Sequence, residues 1–299
     1  MNLAELSKNI QALQDKENKN PNVSILVYGE TKLGKTRYVA TLAKSKSFDH
    51  IYWFDGENGY GTLLSLVKDK VLTETEASKI ELFHIVDLPH APYFQETLLK
   101  VFTVQKDLQL CDIHCRVFCP ICTKEGIKDG WRPFNLFKLG ERDCVVIDSG
   151  SQFADSLMWY LTKGKELDFK PGWDEYGPQG LMLKDVLGVV QACHTNHVWI
   201  THQLIADDTS DINKDDKSTK EKFYPLIGTK NFSASVGKYF GHVVYLKKKL
   251  GKHGGGSAST FMSESVAGSR LGMLVEEDVG LMDFSKVLEK ARYGARSQP

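Results

Sequence analysis

The sequence predicts an α/β fold in which a mainly parallel sheet carries helices on both faces. Strand-like apolar runs alternate with helix-like stretches along the chain, and this alternation is typical of parallel sheets. Three of the runs lead into a glycine-rich loop or an acidic residue. Ligands bind at the carboxyl ends of the strands in open α/β sheets, so these run ends are the first place to look for a site.

The size and composition are those of a soluble globular protein. The chain has 299 residues, enough for one large domain or two small ones. Hydrophobic residues make up 41% and charged residues 25%, which is ordinary for this class. The formal net charge is zero, so a strongly basic nucleic-acid binder is not indicated and any DNA site must be local.

Residues 1–22 are predicted to form a helix and a linker ahead of a single domain at 23–299. Apolar residues recur at helical spacing within 3–16, and a polar stretch with Pro21 follows. The first 20 residues lack the apolar core of a signal peptide, and no run approaches the length of a membrane span. We therefore expect a cytoplasmic protein with no membrane partner.

The segment GETKLGKT matches the phosphate-binding pattern G-x-x-x-x-G-K-[ST]. A buried-strand run at 23–28 precedes it and a helix-compatible stretch follows it, which is the context that the motif needs. The loop N–H groups and the helix start would face an anion, Lys35 would reach the β- and γ-phosphates, and Thr36 would bind Mg²⁺. The other interpretation, an ordinary glycine turn, is disfavoured by this context. The residues assigned to the nucleotide are Gly29, Glu30, Thr31, Lys32, Leu33, Gly34, Lys35, Thr36 and Arg37.

Two further strands end in carboxylates. Residues 51–54 lead into Asp55 and Glu57, and a Glu at a strand end can orient or deprotonate the water that attacks a γ-phosphate. A solvated strand end fits the spacing of Asp55 and Glu57 equally well. The run at 144–147 ends in Asp148, the form of a strand whose Asp holds Mg²⁺ in P-loop proteins. Its place downstream of the phosphate loop strengthens that assignment.

The remaining elements follow from the same patterns. We expect helices at 62–70, 93–108, 153–161, 181–193 and 283–293, and strands at 80–86, 198–201 and 239–246, with one or two more strands within 261–274.

The strand at 198–201 leads into His202 and Gln203, whose polar side chains either sense a γ-phosphate or cap the strand end. The segment 206–222 holds six acids and four lysines, which argues against phosphate binding there. Nearby aromatic and basic residues either stack bases or pack onto the core; they are Phe223, Tyr224, Lys230 and Phe232.

An insert at about 109–140 contains four of the six cysteines. Cys111 with His114 and Cys119 with Cys122 form two pairs of equal spacing, which can supply four tetrahedral ligands to Zn²⁺. Cys115 is a spare thiol and a competing ligand. Free thiols are the alternative, which the dense spacing disfavours. No open coordination position or general base is evident, so we expect a structural rather than a catalytic metal.

Together these motifs resemble the RecA superfamily of P-loop ATPases, and more closely the small phage RecA-like proteins associated with single-strand annealing. The likeness spans about residues 23–250 and rests on GETKLGKT, WFDGENG, VVIDS, VWITHQLIA and VVYLKKK in that order. It implies a RecA-like fold with ATP and Mg²⁺ as cofactors, Lys35 and Glu57 as catalytic residues, Gln203 at the nucleotide-sensing position and Asp148 as the Mg²⁺ acid. The cysteine insert resembles zinc knuckles in some phage members.

The resemblance also implies partners. It predicts action on single-stranded DNA in recombination or annealing, assembly into a ring or filament, a single-strand DNA-binding protein as a candidate partner, and the host cytoplasm if the chain is phage-encoded. Arg270 lies where such proteins carry cations that act on a neighbour's γ-phosphate, and the alternative is a surface Arg at a strand end. In the resemblance, VWITHQLIA leads into the family's second DNA loop, and the acidic segment 206–222 at this place leaves strand exchange unsupported. The competing hypotheses are a helicase-like or loader motor acting through a protein partner and a nucleotide-dependent assembly protein with little DNA affinity.

Overall fold

A computed structural model describes most of the chain between residues 22 and 293. The described ranges are 22–88, 91–117, 119–126, 130–166, 168–208, 220–249, 255–259, 268–269, 276–278 and 283–293, together with residue 8. The predicted N-terminal helix at 3–16, most of the segment 206–222, most of the strand region 261–274, and Arg270 lie outside these ranges.

Strands and helices alternate through most of the described chain. The strands are β1 (Ser24–Gly29), β2 (His50–Asp55), β3 (Ile80–His84), β4 (Leu108–Cys111), β5 (Trp131–Phe134), β6 (Asp143–Asp148), β7 (Asn196–Asp208), β8 (Lys220–Leu226), β9 (His242–Lys249), β10 (Gly255–Ser259), β11 (Gly268–Ser269) and β12 (Glu276–Asp278). The α-helices are α1 (Lys35–Ala40), α2 (Tyr60–Lys68), α3 (Glu74–Ala77), α4 (Tyr93–Thr103), α5 (Pro120–Lys124), α6 (Gly150–Leu161), α7 (Trp173–Ala192), α8 (Lys230–Ser235) and α9 (Phe284–Tyr293).

The main sheet has the strand order β12-β10-β9-β1-β7-β6-β2-β3. The run from β9 to β3 is parallel throughout, whereas β8, β10, β11 and β12 are added by antiparallel pairing. The predicted class, a mainly parallel sheet, is therefore confirmed. Within this order β1 lies between β9 and β7, and β7 alone separates β1 from β6.

Helices cover both faces of the sheet, as predicted. One core contains residues of α4, α6 and α7, and the other contains residues of α1, α2 and α9. Successive side chains of β1 alternate between the two: Leu26 and Tyr28 pack in the first core, Ile25 and Val27 in the second. Burial on both faces explains why the parallel strands read as continuous apolar runs.

Three element boundaries differ from the prediction by more than three residues. Helix α7 begins at Trp173 rather than near residue 181. Glu175 accepts the Gly172 N–H at 2.8 Å and so caps the first turn of the helix. The Gly and Pro residues of this turn explain its prediction as a loop. Helix α4 ends at Thr103, and the next residues enter the two-stranded β4–β5 sheet. Strand β7 continues well past Thr201, because β8 pairs with its second half.

No helix in the described ranges is both long enough and apolar enough to cross a bilayer.

His197 on β7 is a buried histidine that stays neutral. It lies in the core beside Phe102, and within the described ranges neither ring nitrogen has a hydrogen-bond partner. Burial lowers the pKa of His197 to about 3. Because an unfolded histidine titrates near pH 6.5, the unfolded chain binds this proton first, and the neutral ring's contribution to stability is lost as the pH falls below about 6.5.

Replacing His197 with Phe should therefore flatten the pH dependence of stability. Between about pH 7 and pH 5 the free energy of unfolding of the wild type should fall by about 2 kcal/mol more than that of His197→Phe. Urea unfolding at several pH values measures this difference. The exposed His194, three residues before His197, provides the control, since His194→Ala should keep the wild-type slope. Equal slopes for His197→Phe and the wild type would contradict the neutral buried state.

Candidate active site and metal cluster

The sheet brings three polar side chains to one edge and one face. In the parallel register Gly29 pairs with His202, and Asp148 pairs with both Asp55 and Ile200. Paired residues in neighbouring strands share a face, and side chains two positions apart do so as well. Asp55, Asp148 and His202 therefore project on the face that carries α1.

The phosphate loop connects β1 to α1 through Gly34, whose φ of 90° is left-handed and favours glycine. The ammonium of Lys35 is nearly buried and turns back onto the loop. Its Nζ donates to the carbonyl oxygens of Gly29 at 3.1 Å and Glu30 at 2.8 Å. Burial lowers the pKa of Lys35, and the nearby carboxylates of Glu57 and Asp148 oppose that shift.

Gly29, the first residue of the motif, is required by packing as well as by the loop. A Cβ at this position would lie 2.3 Å from the carbonyl oxygen of Leu246 on β9. The close approach of β1 to β9 therefore excludes any side chain at Gly29.

Thr36 and Asp148 form a hydrogen-bonded pair beside the loop. The Thr36 hydroxyl donates to Asp148 Oδ2 at 2.9 Å. Burial raises the pKa of Asp148 to about 7, the charges of Asp55 and Glu57 add to the rise, and Thr36 and Lys35 oppose it. A hydroxyl and a desolvated carboxylate are oxygen ligands that suit Mg²⁺, and a divalent cation would favour the ionised Asp148. The pair can thus hold the predicted ion.

One imidazole joins the phosphate loop to Glu57. His202 Nδ1 lies 3.4 Å from Lys35 Nζ and 3.3 Å from Thr31 Oγ1, and its Nε2 lies 3.1 and 3.0 Å from the two Glu57 oxygens. An ammonium only donates, so Nδ1 accepts from Lys35 and Nε2 carries the proton that Glu57 accepts. The Ser149 hydroxyl also donates to Glu57.

Glu57 is ionised in this setting. Burial acts to raise its pKa, but the hydrogen bonds from His202 and Ser149 and the charge of Lys35 outweigh it, so the pKa of Glu57 lies below its ordinary value. A partly buried, ionised Glu with donors on both oxygens is held in one orientation. Such a carboxylate can accept a proton from a water molecule placed beside it.

Gln203 lies on the other face of β7. Its Oε1 accepts from the Tyr245 hydroxyl at 3.2 Å, and alternation along the strand turns it away from Lys35. His202, the other candidate at this strand end, is the residue that reaches the phosphate loop. Both faces of β7 are buried, so the sequence pattern contained no signal for choosing between these two neighbours.

Asp55 organises the turn that carries Glu57, a role that the sequence reading missed. Its Oδ1 accepts the N–H groups of Glu57 at 3.1 Å and Gly59 at 2.9 Å, and its Oδ2 accepts that of Tyr60 at 3.1 Å. An Asp that bonds backbone N–H groups two or more residues ahead is a known turn signal. Gly59 is also constrained, because a Cβ there would lie 3.1 Å from Asp148 Oδ2.

The insert brings four metal-binding side chains together. The ligand atoms of Cys111, His114, Cys119 and Cys122 all lie within 4.8 Å of one another. His114 Nδ1 is 3.3 Å from the Cys122 sulfur and 3.5 Å from the Cys119 sulfur. The three thiols are buried and unbridged by disulfides. A tetrahedral Zn²⁺ fits a donor set of this size and chemistry.

Cys115 lies outside that cluster. Its sulfur accepts from Arg132 Nη2 at 3.5 Å. Burial raises the pKa of the Cys115 thiol, and the Arg132 charge and the backbone N–H of His84 act in the opposite direction. The Cys115 sulfur therefore faces the main sheet rather than the four-residue cluster.

Several other candidates lie apart from the site or outside the described residues. Arg37, assigned to nucleotide binding, forms an ion pair with Asp69 at 3.0 Å. Phe223 stacks on Tyr245, with ring centroids 5.6 Å apart, and Phe232 is buried, so these two aromatics pack onto the core. Arg270, the candidate trans-acting cation, is not among the described residues.

Comparison with known proteins gives weak likenesses only. No family model and no curated protein matches the chain. A prototypical ATPase from the type III secretion system of pathogenic bacteria is similar with a TM-score of 0.42 and 12% identity, over 76% of this chain and 52% of that one. The chain thus spans about half the length of that ATPase. The RadB recombinase is similar with a TM-score of 0.39 and 15% identity, over 86% of this chain and 87% of that one.

Proposed function

We propose that this protein binds ATP with Mg²⁺ and hydrolyses it, as a RecA-like P-loop ATPase. The observation that carries this proposal is the His202 imidazole, which links Lys35 and Thr31 of the phosphate loop to Glu57. The Lys35 ammonium, the His202 imidazole and the Glu57 carboxylate form one hydrogen-bonded group, which supports roles for Lys35 toward phosphates and for Glu57 toward a water molecule.

The roles follow from the chemistry of each side chain. Lys35 would neutralise the β- and γ-phosphates, and Thr36 with Asp148 would hold Mg²⁺, which supplies further positive charge against the phosphate oxygens. Glu57 would accept the proton of the attacking water. Bound phosphates would compete with His202 for the Lys35 ammonium. Because His202 also contacts Glu57, a change in its hydrogen bond to Lys35 would couple nucleotide binding to Glu57.

Two substitutions separate binding from turnover. Lys35→Ala should abolish ATP binding, because the phosphates lose their counterion. Glu57→Gln should bind ATP as the wild type does and lose turnover by about 100-fold or more, because an amide is not a base. Titration calorimetry measures the first effect and phosphate release the second. The exposed residues Lys46 and Glu74 provide matched controls, Lys46→Ala and Glu74→Gln. Wild-type turnover by Glu57→Gln would disprove the role of Glu57.

We further propose that the nucleotide cycle acts on single-stranded DNA. The connection from α6 to α7 supports this, because Trp173 at its end is 89% exposed and three exposed lysines precede it: Lys163, Lys165 and Lys170. Exposed aromatic rings beside lysines can stack bases and contact phosphates. The acids Glu166 and Asp168 lie between Lys165 and Lys170, so stacking should contribute more than charge.

Single-stranded DNA should therefore raise the rate of ATP turnover, and Trp173→Ala should raise the DNA concentration needed by about tenfold, the value of one stacked base. Phosphate release measured against oligonucleotide concentration tests both statements. Phe137→Ala, which removes another exposed ring, is the control. Turnover that ignores DNA would favour a motor acting through a protein partner, or a nucleotide-dependent assembly protein.

We also propose that Cys111, His114, Cys119 and Cys122 hold a structural Zn²⁺. The close spacing of their ligand atoms and the burial of the three thiols support this proposal. A donor set of three sulfurs and one nitrogen supports it as well. All four positions are filled by protein, which leaves no place for a reacting water.

Elemental analysis of protein purified without chelators should find about one zinc per chain. Cys122→Ser should lose the metal, because three ligands bind zinc far less tightly than four. Cys115→Ser is the matched control and should keep it, since that sulfur faces Arg132. A zinc-free wild type, or a Cys115→Ser protein without zinc, would refute this ligand set.

The ring or filament, the single-strand DNA-binding partner and the cytoplasmic location stay predictions from the resemblance.

A further inference from the structure

We propose that His84 is a positioning residue for Glu57, acting through the carboxylate of Asp55. The inference rests on the proposed hydrolysis for its kinetic consequence, while its structural consequence can be measured without any turnover.

Asp55 is the centre of the arrangement. It is fully buried, and its two oxygens accept the backbone N–H groups of Glu57, Gly59 and Tyr60. Glu57 and Gly59 lie in the short turn between β2 and α2, and Tyr60 is the first residue of α2. The orientation of this single carboxylate therefore sets the path of the backbone that presents the Glu57 side chain to the phosphate loop.

His84 determines that orientation from the neighbouring strand. It pairs with Asp55 in the register of β2 and β3, and its Nδ1 lies 3.0 Å from Asp55 Oδ2. The Asp55 oxygens act as acceptors toward three backbone N–H groups, so Nδ1 of His84 is assigned as the donor in this hydrogen bond. The imidazole also packs edge-on against the Tyr60 ring, with centroids 5.0 Å apart. The His84 side chain thus contacts both the Asp55 carboxylate and the first residue of α2.

Residues of the cysteine insert contact β3, the strand that carries His84. Strand β3 ends the main sheet, and Arg132 of the insert pairs with Glu81 of β3 at 3.0 Å and lies 4.4 Å from the centre of the Phe83 ring. The Cys115 sulfur, which accepts from the same Arg132, faces the backbone N–H of His84. Contacts from the insert therefore hold β3 on its outer side, where no other strand in the described part of the chain pairs with it.

The kinetic test compares three variants. His84→Ala should lower kcat about tenfold, the equivalent of one hydrogen bond to a charged group, and leave KM for ATP within about twofold. His84→Asn should restore most of kcat, because its amide N–H can occupy the place of Nδ1–H. The exposed His194 is the control, and His194→Ala should match the wild type. A raised KM at unchanged kcat would overturn the proposal, since it would indicate a role in binding.

Amide hydrogen exchange in the nucleotide-free protein supplies the second measurement. The N–H groups of Glu57, Gly59 and Tyr60 should exchange about tenfold faster in His84→Ala and return toward the wild-type rate in His84→Asn. Exchange at the wild-type rate in His84→Ala would overturn the proposal. Equally accelerated exchange in His84→Ala and His84→Asn would overturn it as well. If even the wild type fails to hydrolyse ATP, the proposed function fails, and the exchange rates still decide the role of His84.

Discussion

The Lys35 ammonium is a positive charge that is nearly buried, and such a charge is tolerated only where partners surround it. Here two loop carbonyls and the His202 ring contact it directly, and the carboxylates of Glu57 and Asp148 supply the opposing charge. Those carboxylates are themselves desolvated and depend on the same cation. Lys35 and the two carboxylates therefore stabilise one another, and removing Lys35 would take away the positive charge that acts on both carboxylates.

The sheet makes this group possible because its strands are parallel and buried on both faces. Parallel register brings the carboxyl ends of β1, β7, β6 and β2 to one edge. Alternation then selects which side chain at each end faces α1. Asp148 and His202 share that face although they come from separate strands. Gln203 follows His202 directly in β7 and therefore projects on the opposite face.

Much of the fold class could be predicted from the sequence, because burial on both faces leaves continuous apolar runs that end in chemically distinctive residues. The phosphate loop and the four metal ligands could be proposed because each set is local in the chain. The link from Asp55 to His84 could not be, since the residues are joined only by the register of β2 and β3. The preference for His202 over Gln203 could not be predicted either, because an apolar run does not indicate which of the two cores each side chain enters.

The place of the cysteine insert has a consequence for how the molecule behaves in concentrated solution. A terminal strand presents unpaired N–H and C=O groups that can add a strand from another chain, and proteins suppress such association by covering the edge. The Cys115 sulfur and the Arg132 guanidinium occupy the outer side of β3. With the proposed zinc site, an insert that unfolded on loss of the metal would uncover this strand, so the cysteine cluster would protect the protein against sheet-to-sheet aggregation.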